Sequence, residues 1–146
     1  MGKVLGIATR VKVKAPMDVC DQASITFEKG VGNDSRGKFR GKRQVTVMSK
    51  ESWDAVCQDL NNDAPWTVRR ANLLISGIEL KGTTGQLLRI GDCLLEITGE
   101  LVPCERMDAQ VSGLTNALAL DWRGGVTCKI LEEGEVRTGD EITIGA

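Results

Sequence analysis

The chain has 146 residues, 19 Lys+Arg against 20 Asp+Glu for a net charge of −1, and is 41% hydrophobic and 27% charged, the composition of a soluble globular protein able to bury roughly two thirds of its unfolded surface. No apolar run approaches the ~18 residues of a membrane span, and the opening Met1 to Arg10 is too short and too soon charged for a secretory signal, so one domain over 1–146, cytoplasmic and without a membrane partner, is expected. There is no histidine, which excludes Ser-His-Asp and Cys-His nucleophiles and His-ligated zinc and leaves chemistry to Cys, carboxylates, Lys, Arg or a bound cofactor.

In chain order, most of the sequence reads as short strands. Val4 to Ala8 is the first, with Val11-Lys12-Val13-Lys14 next. Ala23, Ile25 and Phe27 alternate with polar neighbours, the period of a half-buried strand. Arg43 to Met48 alternates likewise and is rich in β-branched residues. Ser49 then caps a helix with Glu51 in its first turn, and Trp53, Val56, Cys57 and Leu60 form one apolar face. Further strands are predicted over Leu73 to Ile78, Gln86 to Ile90, Cys93 to Thr98, Val126 to Leu131 and Glu141 to Ile144. A shorter helix capped by Ser112 carries Leu114, Leu118 and Trp122, ended by Gly124-Gly125. Leu88-Arg89-Ile90-Gly91-Asp92 is echoed by Val136-Arg137-Thr138-Gly139-Asp140, each an arm and a Gly-Asp turn. Arg89 and Arg137 read as structural or surface residues. The sum is a mainly β protein, a closed or partly open β-barrel with two short helices.

Charge is unevenly placed. Residues 1–50 carry 11 basic and 4 acidic side chains, and residues 51–146 carry 8 and 16. The basic excess peaks between Asp34 and Arg43, where Arg36, Lys38, Arg40, Lys42 and Arg43 surround Gly37 and Gly41. Such a segment reads either as a solvated loop or as an anion site whose glycines let the backbone approach a ligand. The acidic remainder, the absence of Tyr and a total of five aromatics (Phe27, Phe39, Trp53, Trp66, Trp122) argue against nucleic acid.

The five cysteines fall at 20, 57, 93, 104 and 128 without a C-x-x-C pair, so neither a disulfide framework nor a zinc ribbon is expected. Cys57, Cys93 and Cys128 share their elements' apolar parity and read as buried hydrophobes. Cys20 sits between Asp18 and Asp21, which disfavour its thiolate. Cys104 follows Pro103 just beyond a strand, in Pro103-Cys104-Glu105-Arg106-Met107. It reads either as a functional thiol presented by a rigid loop, with Arg106 favouring the thiolate and Glu105 opposing it, or as an inert loop residue.

Six blocks in order resemble the MOSC domain family, named for the C-terminal domain of molybdenum-cofactor sulfurases. They are Arg43-Gln44-Val45-Thr46-Val47-Met48-Ser49, Arg69-Arg70-Ala71-Asn72-Leu73-Leu74-Ile75-Ser76-Gly77-Ile78, Leu88 to Asp92, Pro103 to Met107, Gly124-Gly125-Val126 and Val136 to Asp140. The resemblance implies a β-barrel that binds molybdenum cofactor or carries sulfur for it, as a sulfur transferase or a component of a cofactor-dependent reductase. It puts the reactive position, and a possible molybdenum ligand, on Cys104. Cationic and amide donors for the molybdopterin phosphate and the oxo groups would be Arg43, Gln44, Arg69, Arg70, Asn72 and Arg106, with Arg36, Lys38 and Arg40 resting on charge density alone. Of Arg69 and Arg70, adjacent on an expected strand, only one can face a given pocket. Asn72 reads equally as a turn former. The implied partners are the cofactor itself and a sulfur donor or redox protein, while pyridoxal phosphate enters only as a family association. Two departures stand out: Asn33-Asp34-Ser35-Arg36 lacks the His that many small relatives carry there, and Met107 stands where larger relatives have a second Cys. The alternatives are a non-enzymatic barrel binding an anion or a protein through the basic segment, and a MOSC domain that keeps the fold without activity.

Overall fold

The computed structural model describes residues 2–12, 16–35, 37, 41–103, 105–109 and 111–145, and only the backbone of 105 and 106. Its strands are β1 (Gly2–Thr9), β2 (Asp18–Cys20), β3 (Gln22–Thr26), β4 (Gly30–Val31), β5 (Val45–Ser49), β6 (Leu73–Ser76), β7 (Leu87–Ile90), β8 (Cys93–Glu100), β9 (Val126–Glu132), β10 (Gly134–Arg137) and β11 (Glu141–Gly145). Seven of them close a ring in the order β1-β11-β7-β8-β9-β5-β6, and β2 continues the sheet beyond β1. β1 serves two neighbours along one edge: Gly2 and Lys3 pair with β11, and Ile7 to Thr9 pair with β2. β10, β3 and β4 form a separate three-stranded sheet.

Alternation decides which side chains fill the barrel. Val45, Val47, Leu73, Ile75, Leu88, Ile90, Leu95, Ile97, Val126 and Cys128 point inward into one dry cluster. The intervening outward positions Met48 and Leu74 are also buried, because a second layer covers them. That layer is helix α1 (Lys50–Leu60), helix α2 (Leu114–Leu118) and the 3₁₀ turn Glu105–Ala109, which contribute Trp53, Val56, Leu114, Leu118 and Met107. α1 starts as its sequence predicts, with Ser49 Oγ accepting the Ser52 N–H at 3.1 Å.

All pairings in the ring are antiparallel except β5–β6. A parallel pair needs a crossover, and α1 with the 3₁₀ turn Trp66–Arg69 supplies it. The two strands are fastened at their start by side chains. Asn72 Oδ1 accepts both the Thr46 N–H and the Thr46 hydroxyl at 3.1 Å, while its Nδ2 donates to Ala8 O on β1 at 3.2 Å. The Asn72 N–H in turn reaches Thr46 Oγ1 and Thr46 O, each at 3.0 Å. One residue therefore ties three strands.

Several expectations need correction. Val11 and Lys12 lie in a bend, not a strand, and Val13 and Lys14 lie outside the described residues; the strand pairing with the end of β1 is Asp18–Cys20, too short and polar to register as a pattern. Arg69 and Arg70 are not on a strand. Arg69 closes the 3₁₀ turn and Arg70 caps it at φ 66°. α2 is capped by Gly113 rather than Ser112, and it stops at Leu118; Trp122 belongs to a separate 3₁₀ turn and packs against the barrel cluster. The Gly-Asp echo does form two turns: Gly91 and Gly139 have φ of 57° and 93°, and Asp140 Oδ2 accepts the Arg137 N–H at 2.8 Å.

The three-strand tie sets a measurable cost. Asn72→Ala should lower the unfolding free energy by about 2–4 kcal/mol in urea denaturation, since it strands the buried Thr46 N–H and Ala8 carbonyl. Arg89→Ala, which removes an exposed ion pair with Glu132 and an exposed, long bond to Gly91 O, each at 3.4 Å, should cost less than about 1 kcal/mol.

Candidate functional site

Three of the six sequence blocks meet at the β5–β6 pair, joined by the segment that leads into a fourth. Arg43-Gln44 leads into β5, and Arg69 to Asn72 leads into β6. Gly125 abuts Val47 and Met48 so closely that a Cβ there would lie 2.2 Å from Val47 O, and its φ is 98°. Leu101, the first residue after β8, donates its N–H to Gly125 O at 2.8 Å. Segments up to 80 positions apart in sequence thus share one neighbourhood.

Within it the candidates divide by exposure. Gln44 is 3% exposed, and both its amide hydrogens go to the main chain: Nε2 donates to Phe27 O at 2.6 Å and to Gly37 O at 3.0 Å. Arg69 is 5% exposed, its Nε donating to Gly124 O at 3.1 Å and an Nη to Leu101 O at 2.7 Å. Asn72 is committed to the strand tie. Arg43 is exposed and Arg70 half-buried, so these two retain access to solvent. Cys104 lies outside the described residues, as do Arg36, Lys38 and Arg40, and the Arg106 side chain is likewise not described. The chain flanking Cys104 is anchored at Leu101 and at Met107, whose side chain is buried in the outer cluster.

The base of the basic segment is tied to the chain that precedes it. Asp34, 5% exposed, takes the Arg10 N–H on Oδ1 at 2.8 Å. Gly37 is packed on Lys29 and Gly30, where a Cβ would sit 2.2 Å from Lys29 O, so its missing side chain serves chain packing and not ligand approach. Gly41 has open space around it and φ of 138°. A row of hydroxyls that the sequence does not announce runs beside it. Thr98 Oγ1 donates to Lys42 O at 2.5 Å and lies 2.7 Å from Thr127 Oγ1, and Thr127 is the register partner of Thr46. The row Thr98, Thr127, Thr46, Asn72 thus crosses β8, β9, β5 and β6 on their outer side. The available signal was Thr at outward positions of otherwise apolar strands.

A cleft of about 340 Å³ opens elsewhere, at the start of α1, between Ser49, Ser52, Ile78, Lys81 and Trp122. Its polar walls are engaged: Glu51 accepts the Gly77 N–H at 2.8 Å, and Lys81 pairs with Asp121 at 2.7 Å. None of the described candidate residues lines it. Among the described residues no group of three or more Cys, Asp or Glu comes together to hold a metal ion, and no helix is long and apolar enough to cross a membrane.

The four described thiols are all held towards the protonated form. Burial dominates each: it pushes Cys93 up to about 12, and it raises Cys128, at the barrel centre, further with Cys93 as a lesser contributor. Burial followed by the Asp21 carboxylate raises Cys20, and burial followed by Asp54 and Asp63 raises Cys57. At pH 8 a thiol with a pKa near 12 has a thiolate fraction on the order of 10⁻⁴. Iodoacetamide should therefore leave Cys93 and Cys128 unmodified in the native protein and label both after unfolding. The same shift gives a sign for alkaline stability. Above about pH 9 the unfolded Cys93 loses its proton while the folded one, with its pKa near 12, keeps it. Stability should fall as pH rises through that window, and Cys93→Ala should flatten the fall.

No curated protein sequence matches the chain. Among solved structures, the YuaD protein from Bacillus subtilis superposes with a TM-score of 0.82 at 18% identity, covering 99% of this chain and 96% of that one. YiiM from Escherichia coli (TM-score 0.72, 14% identity) and YiiM from Geobacillus stearothermophilus (0.70, 13%) each cover 99% of this chain and 70% and 73% of their own. At these identities the likeness is one of fold. The model of the MOSC domain family, a family associated with molybdenum-cofactor binding, matches residues 34–143, which spans every block at the β5–β6 pair: the chain belongs to the MOSC domain family.

Proposed function

We propose that this protein binds molybdenum cofactor, or carries sulfur for it, through Cys104. The observation that carries the reading is the division among the thiols. Four of five cysteines have their ionisation suppressed, all of them chiefly by burial and three with help from neighbouring carboxylates. Each is thereby held back from the thiolate that a soft metal or a persulfide requires. Cys104 is the remaining one, and it lies within the matched family segment, between the anchors Leu101 and Met107.

The surroundings suit such a guest. A molybdenum that arrives chelated by its pterin needs a single protein sulfur, so the lack of a ligand cluster among the described residues is compatible with it. The guest's phosphate and oxo groups call for cations at the surface. In this reading Arg43, Arg70 and Arg106 serve the anionic groups, with Arg36, Lys38 and Arg40 as further cations of the basic sequence segment that includes Arg43. Gln44, Arg69 and Asn72 act from beneath by fixing the segments that carry them. Met107 takes no part as a ligand, because its side chain fills the outer core. A bound cofactor would supply the redox or sulfur-transfer chemistry, while the protein binds, orients and shields it.

The test is a thermal-shift titration with molybdenum cofactor, paired with site-mapped alkylation. Cofactor should raise the melting temperature by mass action in the wild type. Cys104→Ser should abolish that rise while melting unchanged in the apo form. Iodoacetamide near pH 7.5 should modify Cys104 before Cys20 and Cys57. A wild-type protein whose melting is indifferent to cofactor, with Cys104 labelled no faster than Cys57, would refute the reading.

A further inference from the structure

We infer that Arg69 is a positioning residue: its buried guanidinium clamps Leu101 to Gly124 and so fixes the direction in which the chain leaves the barrel, three residues before Cys104. The inference deepens the function proposed above and rests on Cys104 being the working thiol.

The clamp is built from a buried cation and main-chain acceptors. A guanidinium 5% exposed is costly unless its charge is spread over good acceptors. Here the acceptors include two carbonyls from different segments, Leu101 O at 2.7 Å and Gly124 O at 3.1 Å. The planar fork of arginine can reach both at once, and a lysine ammonium cannot reproduce that geometry. The third bond of the junction, Leu101 N–H to Gly125 O at 2.8 Å, joins the same two segments directly. Arg69 is aimed inward by its own turn: Arg70 follows at φ 66° with its N–H on Thr67 O, which sends the two arginines to different environments.

Gly124 is an independent sign that the closeness is built in. A Cβ on it would lie 2.7 Å from Leu101 O and 3.0 Å from an Arg69 Nη. Its φ is not left-handed, so its lack of a side chain answers to space and not to conformation. The sequence keeps a glycine where the clamp must close. Downstream, the buried Met107 side chain fixes the far side of the short stretch containing Cys104. The described chain on either side of that stretch is thus held by the fold, at Leu101 and at Met107.

Two variants separate placement from charge. Arg69→Gln removes the cation and the fork. Gly124→Ala leaves the arginine in place and wedges the junction open, so it also covers the case in which Arg69→Gln does not fold. Hydrogen exchange by mass spectrometry should show residues 101–109 exchanging about tenfold faster or more in both variants, with the β7–β8 hairpin unchanged. Alkylation of Cys104 near pH 7.5 should rise about threefold or more, with its pH profile displaced, in Gly124→Ala as in any folded Arg69→Gln, while Cys93 and Cys128 stay unlabelled. If Gly124→Ala folds with exchange in 101–109 and a Cys104 profile that overlay the wild type, or if the whole barrel loosens uniformly, the positioning role is wrong. Wild-type protein that fails to bind cofactor would remove the proposed function and leave this outcome readable on its own.

Discussion

The architecture depends on one junction, the parallel pairing of β5 and β6. Every other contact in the ring follows from antiparallel neighbours, which need no long connection. The parallel step forces the chain out of the sheet and back, and that excursion is what lays α1 and the 3₁₀ turn over the barrel's outer face. Its polar ends are secured by Asn72, which satisfies groups on β1 and β5 at once, and by Arg69, which satisfies groups beside β8 and β9. Buried polar side chains at such a corner act as fasteners, because water cannot reach the backbone groups they serve.

The same corner explains why the family blocks are scattered in sequence. Gln44 holds Phe27 and Gly37, Asn72 holds Thr46 and Ala8, and Arg69 holds Leu101 and Gly124. Each of these residues serves main-chain carbonyls or amides of a distant segment, so each depends chiefly on a backbone path, with the Thr46 hydroxyl as the one side-chain partner among these bonds. In the proposed function this leaves a division of labour. Buried members of the blocks shape the loops, and the more exposed Arg43 and Arg70 face outward from the scaffold.

How much could be read from residues alone follows from the reach of the signals. Ala23 to Phe27, Val45 to Met48 and Cys93 to Thr98 declare themselves because alternation is local and strong. Ser49 as a cap and the Trp53–Val56–Cys57 face are local as well. Asp18–Cys20 was invisible, since three residues with exposed Val19 carry no pattern and pair only because β1 is there. Arg69 and Arg70 looked like strand residues because the apolar run of β6 follows; the left-handed turn at Arg70 that separates them has no side-chain signature. Nor does spacing reveal that Gln44, Arg69 and Asn72 would be buried. Arg and Asn in a shared block read as ligand donors until their hydrogen-bond partners are seen. Gly37 and Gly124 present the same difficulty, as a glycine that admits a ligand and one that admits another strand of the same chain are identical on paper.

The ring closes through β1 against β11, its first strand against its last. That seam has a kinetic meaning. A nascent chain emerging from the ribosome can assemble the β5–α1–β6 unit and the β7–β8 hairpin from nearby partners, yet the barrel stays open until β11 appears. Until then the edges of β1 and β7 lack their shared neighbour, and the apolar lining is accessible to solvent and to other chains. High-separation contacts of this kind slow folding. The seam is accordingly where newly made molecules would be most prone to stick together, and where a chaperone would have the most to protect.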